Sequence, residues 1–314
     1  MPPLPRFEDL LPEQSDPGKA AIRDKLIQVL NSKGEILPSA NSPRGKLWHL
    51  VNSPDSSLTE CAEVIQLDSA LASRIFRVAN SGSYGMQASN INEAILHLGI
   101  KFVREQVFNA GVFKEYSGWV MPVEWDFFWL RNIFVARLCD RLAGEYEFTN
   151  GSEYLACLIH DMGWLFLATY FPNEYTQIFS CGKPVGEAEK EFMPFDHAEI
   201  SAAMAARSML PLRAVNAIIH HHTPLSVHPG NPVELSRNAN LLSVVMNVCD
   251  KIADICGMDI FLKSDLTLET LEQTPEIVWL KQFGKRHDFA TLAEEELAKS
   301  KEIFEVYFSN RNFT

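Results

Sequence analysis

The sequence predicts an all-α protein, and three observations carry that prediction. Apolar residues recur at three- and four-residue spacing along most of the chain. Capping residues, glycines and prolines stand where that spacing starts and stops. No alternating apolar run is followed by a turn and a second such run, so no hairpin is indicated. With 314 residues and 46% hydrophobic composition, the chain can bury a sizeable core, as one large domain or two small ones. Charged residues make up 22%, close to the globular average, which argues against wholesale disorder.

Taken in order, residues 1–16 are rich in proline and polar groups and predict a loose lead-in. Gly18–Leu30 predicts an amphipathic helix with Ala21, Ile22, Leu26, Ile27 and Leu30 on one face. Leu58–Leu67 predicts another, with Cys61, Val64 and Ile65 on one side. Asp68 or Ser69 is placed to cap the next, which turns Leu71, Ile75, Val78 and Ala79 inward and ends in the turn-tolerant Asn80–Gly85. Asn92–Leu98 is stopped by Gly99, a natural C-terminal cap. After a turn around Met121–Pro122, the helix Phe127–Ala143 opens a second half. Helices follow over Ser152–Tyr170, Asp196–Met209, Leu212–His221 and Asn240–Cys256, with Gly257 closing the last. Asp196 and Glu199 form a capping box, and Pro211 stands where a first helical turn accepts proline. Thr291–Phe308 predicts a final helix.

Composition narrows the function. A formal charge of −12, with no dense Lys/Arg cluster, argues against nucleic acid as the main ligand. The first sixteen residues hold no apolar core of signal-peptide length, so secretion is not expected. The most apolar window, Tyr154–Phe171, contains His160 and Asp161 and therefore reads as a buried helix carrying a polar site, not as a membrane span. The six cysteines form no CxxC pair and lie mostly in apolar helical patterns, which fits a reduced cytoplasmic compartment.

Six of the nine histidines fall between positions 160 and 228. His160 and Asp161 are adjacent in an apolar segment, where a desolvated carboxylate is costly unless paired or metal-bound. His197 opens a later helix, His220, His221 and His222 end another, and Asp250 lies among Val248, Cys249 and Ile252. Imidazoles and carboxylates from four helices are what a first-row divalent site in a bundle requires, with Fe, Mn or Zn as candidates. The competing reading is structural: a buried His–Asp pair caps helices and satisfies carbonyls, and histidines at a helix end suit its dipole. His49, His97, His228 and His287 read as surface or packing residues, and Trp129 and Trp164 as core aromatics.

An ordered series of segments over roughly residues 36–257 resembles the HDOD family of the HD-domain superfamily. It comprises Asp68–Ser81, Asn92–Gly99, Leu158–Gly163, Asp196–Met204, Leu210–Pro211 and His221–Pro224. The resemblance implies an N-terminal helical subdomain over 36–125 packed on an HD-like subdomain over 126–257. The segments 1–35 and 258–314 are then an N-terminal extension with a short helix and a C-terminal helical tail. It also implies a role in bacterial signal transduction beside a separate, unidentified protein partner. Carried over by motif, the metal positions are His160, Asp161, His197, His221, His222 and Asp250. The earliest histidine position of the superfamily is occupied by Arg131, a permanent cation that repels a metal and suits pairing with Asp161 or Asp250, or an anion. Relatives that hydrolyse cyclic dinucleotides carry a lysine where this chain has Trp164, and a GYP motif where it has residues 223–230. The leading expectation is thus a non-catalytic regulatory module that binds a protein. The alternative is a metal-dependent phosphohydrolase.

Overall fold

The structure is a computed structural model, and it describes residues 6–33, 50, 57–66, 75, 78–79, 88, 91–115, 125–146, 153–207, 210–225, 235–260 and 264–308. The described residues contain helices and no strand. None of these helices is long and apolar enough to cross a membrane. The chain divides into two compact units. One comprises residues 1–34 and 120–301, and the other residues 35–119 and 302–314.

The second unit holds α3 (Leu58–Gln66) and α4 (Ile91–Glu115). Cys61, Ala62 and Ile65 of α3 meet Ala94, Ile95 and Val103 of α4 in a buried cluster that also takes in Ile75 and Ala79. Gly99 leaves the helical region (φ 79°, ψ 156°), as the sequence expects of a stop, but the helix resumes beyond it. The expected cap at Asp68 or Ser69, the Asn80–Gly85 turn, the Met121–Pro122 turn, His49 and His228 lie outside the described residues.

In the first unit, residues 6–16 depart from the expected loose lead-in. Phe7–Leu10 forms a short helix, α1, with Phe7 and Leu11 buried. Arg23 on α2 (Pro17–Lys33) holds it down by donating to the carbonyls of Leu11 and Pro12 (2.7 and 2.9 Å). Arg207 stacks on the Phe7 ring at 5.1 Å. Burial of Phe7 and Leu11 together with these contacts docks the segment.

The frame of this unit is α5 (Trp125–Glu145), α6 (Glu153–Ile159), α7 (Met162–Tyr170), α8 (Pro172–Ser180), α9 (Val185–Phe192), α10 (His197–Arg207), α11 (Leu212–Ile219) and α12 (Leu235–Ile255). Helices α5, α12, α11, α10 and α7 pack successively against one another, and α6 packs on α5 and α11. Phe128, Trp129, Trp164 and Phe166 are buried within it, and Phe128 stacks on Trp164 at 5.4 Å. Helices α8 and α9 occupy a stretch in which the sequence indicates none. Each runs only eight or nine residues, too short for periodicity alone to mark it. The expected capping box is present: Asp196 and Glu199 exchange backbone-to-carboxylate bonds of 2.9 and 2.8 Å.

The continuous helix expected over Ser152–Tyr170 is two helices broken at His160–Asp161. His160 Nδ1 turns back to the carbonyl oxygen of Cys157, satisfying one of the orphan carbonyls at the end of α6. Asp161 (φ −98°, ψ 4°) then opens α7. Helix α7 approaches α10 so closely that a Cβ on Gly163 would meet the His197 carbonyl oxygen at 2.1 Å and the Ser201 nitrogen at 2.8 Å. The close approach is sealed by the Gly163 N–H donating to Ser201 Oγ at 2.7 Å.

Candidate functional site

The frame brings His160, Asp161, His197, His221, His222 and Asp250 to one centre, lining or backing a cavity of about 320 Å³. Asp161 is its hub. Its Oδ2 lies 3.1 Å from His160 Nε2, and its Oδ1 lies 3.7 Å from both His197 Nε2 and His221 Nε2. Asp250 Oδ1 is 3.1 Å from His160 Nε2. Two donor sets gather within 4.8 Å of one another: His197 with His221 and His222, and His160 with Asp161 and His221. His220 belongs to neither set, and His287 lies elsewhere, against Glu145 and Tyr146.

Three of the rings have their tautomer fixed from behind. His160 Nδ1 faces the Cys157 carbonyl, His221 Nδ1 the Ile218 carbonyl (2.6 Å), and His197 Nδ1 the Glu189 carboxylate (2.6 Å). Carbonyls and carboxylates only accept, so each Nδ1 carries the proton and each Nε2 is turned toward the centre. His160 and His221 obtain this by the same device, each bonding the carbonyl three residues back at the end of its helix.

The charges sort the rings. Burial opposes a charge on His160, but Asp161 and Asp250 overcome it and push the ring up to about 10. Burial likewise opposes His197, which Glu189 and Asp161 push up to about 9. His221 moves the other way: burial, with the charge of His160 adding, pushes it down to about 4. His221 Nε2 is therefore a bare lone pair, and it is buried without a hydrogen-bond partner. His197 Nε2, protonated, donates to His222 Nε2 at 2.7 Å, with His222 exposed at the mouth.

Arg131 comes from α5 and is 6% exposed. Its Nη1 lies 2.9 Å from Asp250 Oδ1 and 3.1 Å from Asp161 Oδ2, and its Nη2 lies 3.3 Å from Asp254 Oδ1. Its Nε donates to the Met258 carbonyl at 3.1 Å. Burial works against the guanidinium charge, but Asp250, Asp161 and Asp254 outweigh it. Asp161 and Asp250 are held well below the usual carboxylate range despite burial, by His160 and Arg131. Burial pushes Asp254, at the edge, up to about 6 against the pull of Arg131.

Glu189, Asp254 and Asn247 are functional neighbours that the sequence reading does not single out. Glu189 is fully buried; one carboxylate oxygen accepts from both the backbone N–H (2.9 Å) and Nδ1 of His197, and the other accepts from Tyr175. A signal for it exists, because Glu189 falls four residues after Val185, on the apolar side of a short helix. Asp254 stands one turn after Asp250 on α12, and Asn247 donates to the His221 carbonyl at 2.8 Å. Replacing Glu189 with glutamine is expected to cost about 1–3 kcal/mol, the range for a buried donor left unpaired. Urea unfolding measures it, and an unchanged midpoint would show that His197 is anchored by other groups.

The donor set fits a divalent ion on one side only. His221, held from behind, presents an orphaned lone pair, and His197, also held from behind, would join it beside His222 and Asp161 once its Nε2 proton is lost, which is how metal-ligating histidines are supported. On the His160–Asp250 side the carboxylates are already engaged by a permanent cation.

Residues 37–224 match the model of the HDOD domain family. A protein of Treponema pallidum (strain Nichols), described as uncharacterized, is 23% identical over 216 residues, covering 63% of this chain and 40% of that one. The match thus spans less than half the length of that relative. An HDOD domain protein of unknown function from Geobacter sulfurreducens superimposes with a TM-score of 0.69 at 22% identity, over 90% of this chain and 97% of that one. A candidate phosphohydrolase from Shewanella amazonensis SB2B gives a TM-score of 0.66 at 23% identity, over 90% and 97% of the two chains. At these identities the likeness is one of fold.

Proposed function

Because the chain belongs to the HDOD domain family, we propose that it is a non-catalytic module of bacterial signal transduction. In this reading it acts in the cytoplasm by recognising a protein partner. The observation that carries the reading is Arg131, whose guanidinium binds Asp161, Asp250 and Asp254 at once. A cation already neutralises the carboxylates on which a catalytic ion would rest, and it repels a second cation placed beside it. Two further features support the same conclusion. Trp164 is fully buried against Phe128, so the place of a phosphate-contacting lysine is part of the core. Lys251, also lining the cavity, is paired with Glu276 at 2.5 Å. The centre then works as a rigid charged core that fixes α5, α7, α10 and α12 in one arrangement and so shapes the surface presented to a partner.

The lone pair of His221 favours a second reading, a metal-dependent phosphohydrolase held by His197, His221, His222 and Asp161. These residues would hold an ion that would supply a coordinated water of lowered pKa and a Lewis acid for a phosphoryl oxygen. Protein purified without chelators, analysed for Fe, Mn and Zn and assayed against phosphodiester and nucleotide substrates, separates the two readings. The expected result is no turnover above that of the His221→Ala and Asp161→Ala variants, whatever metal is retained. Stoichiometric metal with turnover that both variants abolish overturns the non-catalytic reading.

A further inference from the structure

Beyond α13 (Leu268–Leu271), a second cavity, of about 670 Å³, opens in the first unit between α14 (Pro275–Leu280), the short 3-10 turn Lys281–Phe283 and the start of α15 (Phe289–Phe308). Its floor is apolar and aromatic: Ile277, Leu280, Phe289 and the side of Tyr146. Gly284 takes a left-handed conformation (φ 70°) that reverses the chain and brings Lys285 and Arg286 to the rim.

The charges around this cavity are settled except at those two residues. Lys281 pairs with Glu272 at 2.8 Å, and His287 Nδ1 lies 2.9 Å from Glu145 while its Nε2 bonds the Tyr146 hydroxyl at 2.8 Å. Asp288, the nearest other acid in sequence, uses its carboxylate to cap α15 through Thr291. Lys285 and Arg286 are exposed and make no ion pair or hydrogen bond among the described residues. In a chain with a formal charge of −12, two adjacent unpaired cations over an apolar floor are a local reversal of the molecule's field.

We propose that this cavity is a binding site for a small organic anion, with its apolar or aromatic body on the Ile277–Leu280–Phe289 floor and its phosphate or carboxylate between Lys285 and Arg286. The volume lies within the range of small-molecule sites. A guanidinium beside an ammonium supplies the charge-assisted bonds that such a head group requires. Burial of the body on the floor provides the remaining driving force. The site is independent of the His/Asp centre, with which it shares no lining residue.

The test uses the full chain and 8-anilinonaphthalene-1-sulfonate, a fluorescent organic anion with an aromatic body. The expected result is saturable enhancement at one site. The Lys285→Glu/Arg286→Glu double variant is expected to weaken it by about tenfold or more, the scale of one or two lost charge-assisted bonds. Because both positions are exposed, circular dichroism is expected to show the variant folded. Displacement of the dye by AMP identifies a nucleotide-like ligand, and displacement by phenylacetate a carboxylate; either supports the site. The proposal is overturned by absence of saturable binding, by equal binding to the double variant, by failure of both competitors, or by inorganic phosphate competing as well as they do.

Discussion

Replacing Arg131 with methionine is expected to destabilise the protein by about 3–5 kcal/mol, the range found when one partner of a buried ion pair is removed. Methionine keeps much of the side-chain length, so the loss is of charge and hydrogen bonding more than of volume. It leaves Asp161, Asp250 and Asp254 facing one another with His160 and, 3.7 Å from Asp161, His197 as the near counter-charges. Lysine at the same position is expected to recover part of the loss, since a single ammonium cannot serve three carboxylates and the Met258 carbonyl as a planar fork does. A divalent ion such as Mn or Zn is expected to raise the urea midpoint of Arg131→Met more than that of the unaltered protein. Vacated carboxylates bind it, and binding to the folded state adds to stability by mass action. If Arg131→Met unfolds at the original midpoint, the guanidinium is not the counter-charge of this centre.

Gly163→Ala is the second large effect, and it acts through backbone alone. The added methyl would lie 2.1 Å from the His197 carbonyl oxygen and 2.8 Å from the Ser201 nitrogen, neither of which can rotate away. Helices α7 and α10 must separate, at a cost of about 3 kcal/mol or more, the upper end of overpacking. The separation moves His197 away from Asp161 and strains its bond to Glu189. Ser201→Ala provides the contrast, because it removes only the bond from the Gly163 N–H and is expected to cost about 1 kcal/mol. Near-ultraviolet circular dichroism, which reports the packing of the buried aromatic side chains, Trp164 among them, is expected to change in Gly163→Ala and to persist in Ser201→Ala. Equal stability of the two variants would contradict the close approach.

Much of this centre is legible in the chain because its ligand-like residues stand at marked helix ends or interrupt apolar segments. His197 and His221–His222 each lie beside a boundary that the spacing, capping box or proline marks, while His160–Asp161 and Asp250 are polar residues within long apolar segments. The break between α6 and α7 is not legible, since the residues from Tyr154 to Ala168 suit a continuous buried helix apart from the polar pair and Gly163, and a single glycine is tolerated within a helix. What breaks it is the His160 ring bonding back to Cys157, a local bond that competes with the helical one only once the ring is buried. Glu189 is hidden for a related reason: a lone glutamate among Glu187 and Glu191 is distinguished only by the face it is turned to. The cation pair at Lys285–Arg286 is too short to register as a basic cluster, and it gains meaning from the cavity beneath it.

The all-helical architecture, the family, the six His/Asp residues and the arginine among them can be read from the chain alone. These follow from periodicity, punctuation and residue order, which are properties of the chain taken one segment at a time. The role of Arg131, the bare lone pair of His221 and the place of Glu189 behind His197 emerge from the packed helices. Those depend on distances between residues as far apart as 30 and 123 positions in the chain. Charge–charge energy in a buried site changes steeply with such distances, so the chemistry of this centre is fixed by packing.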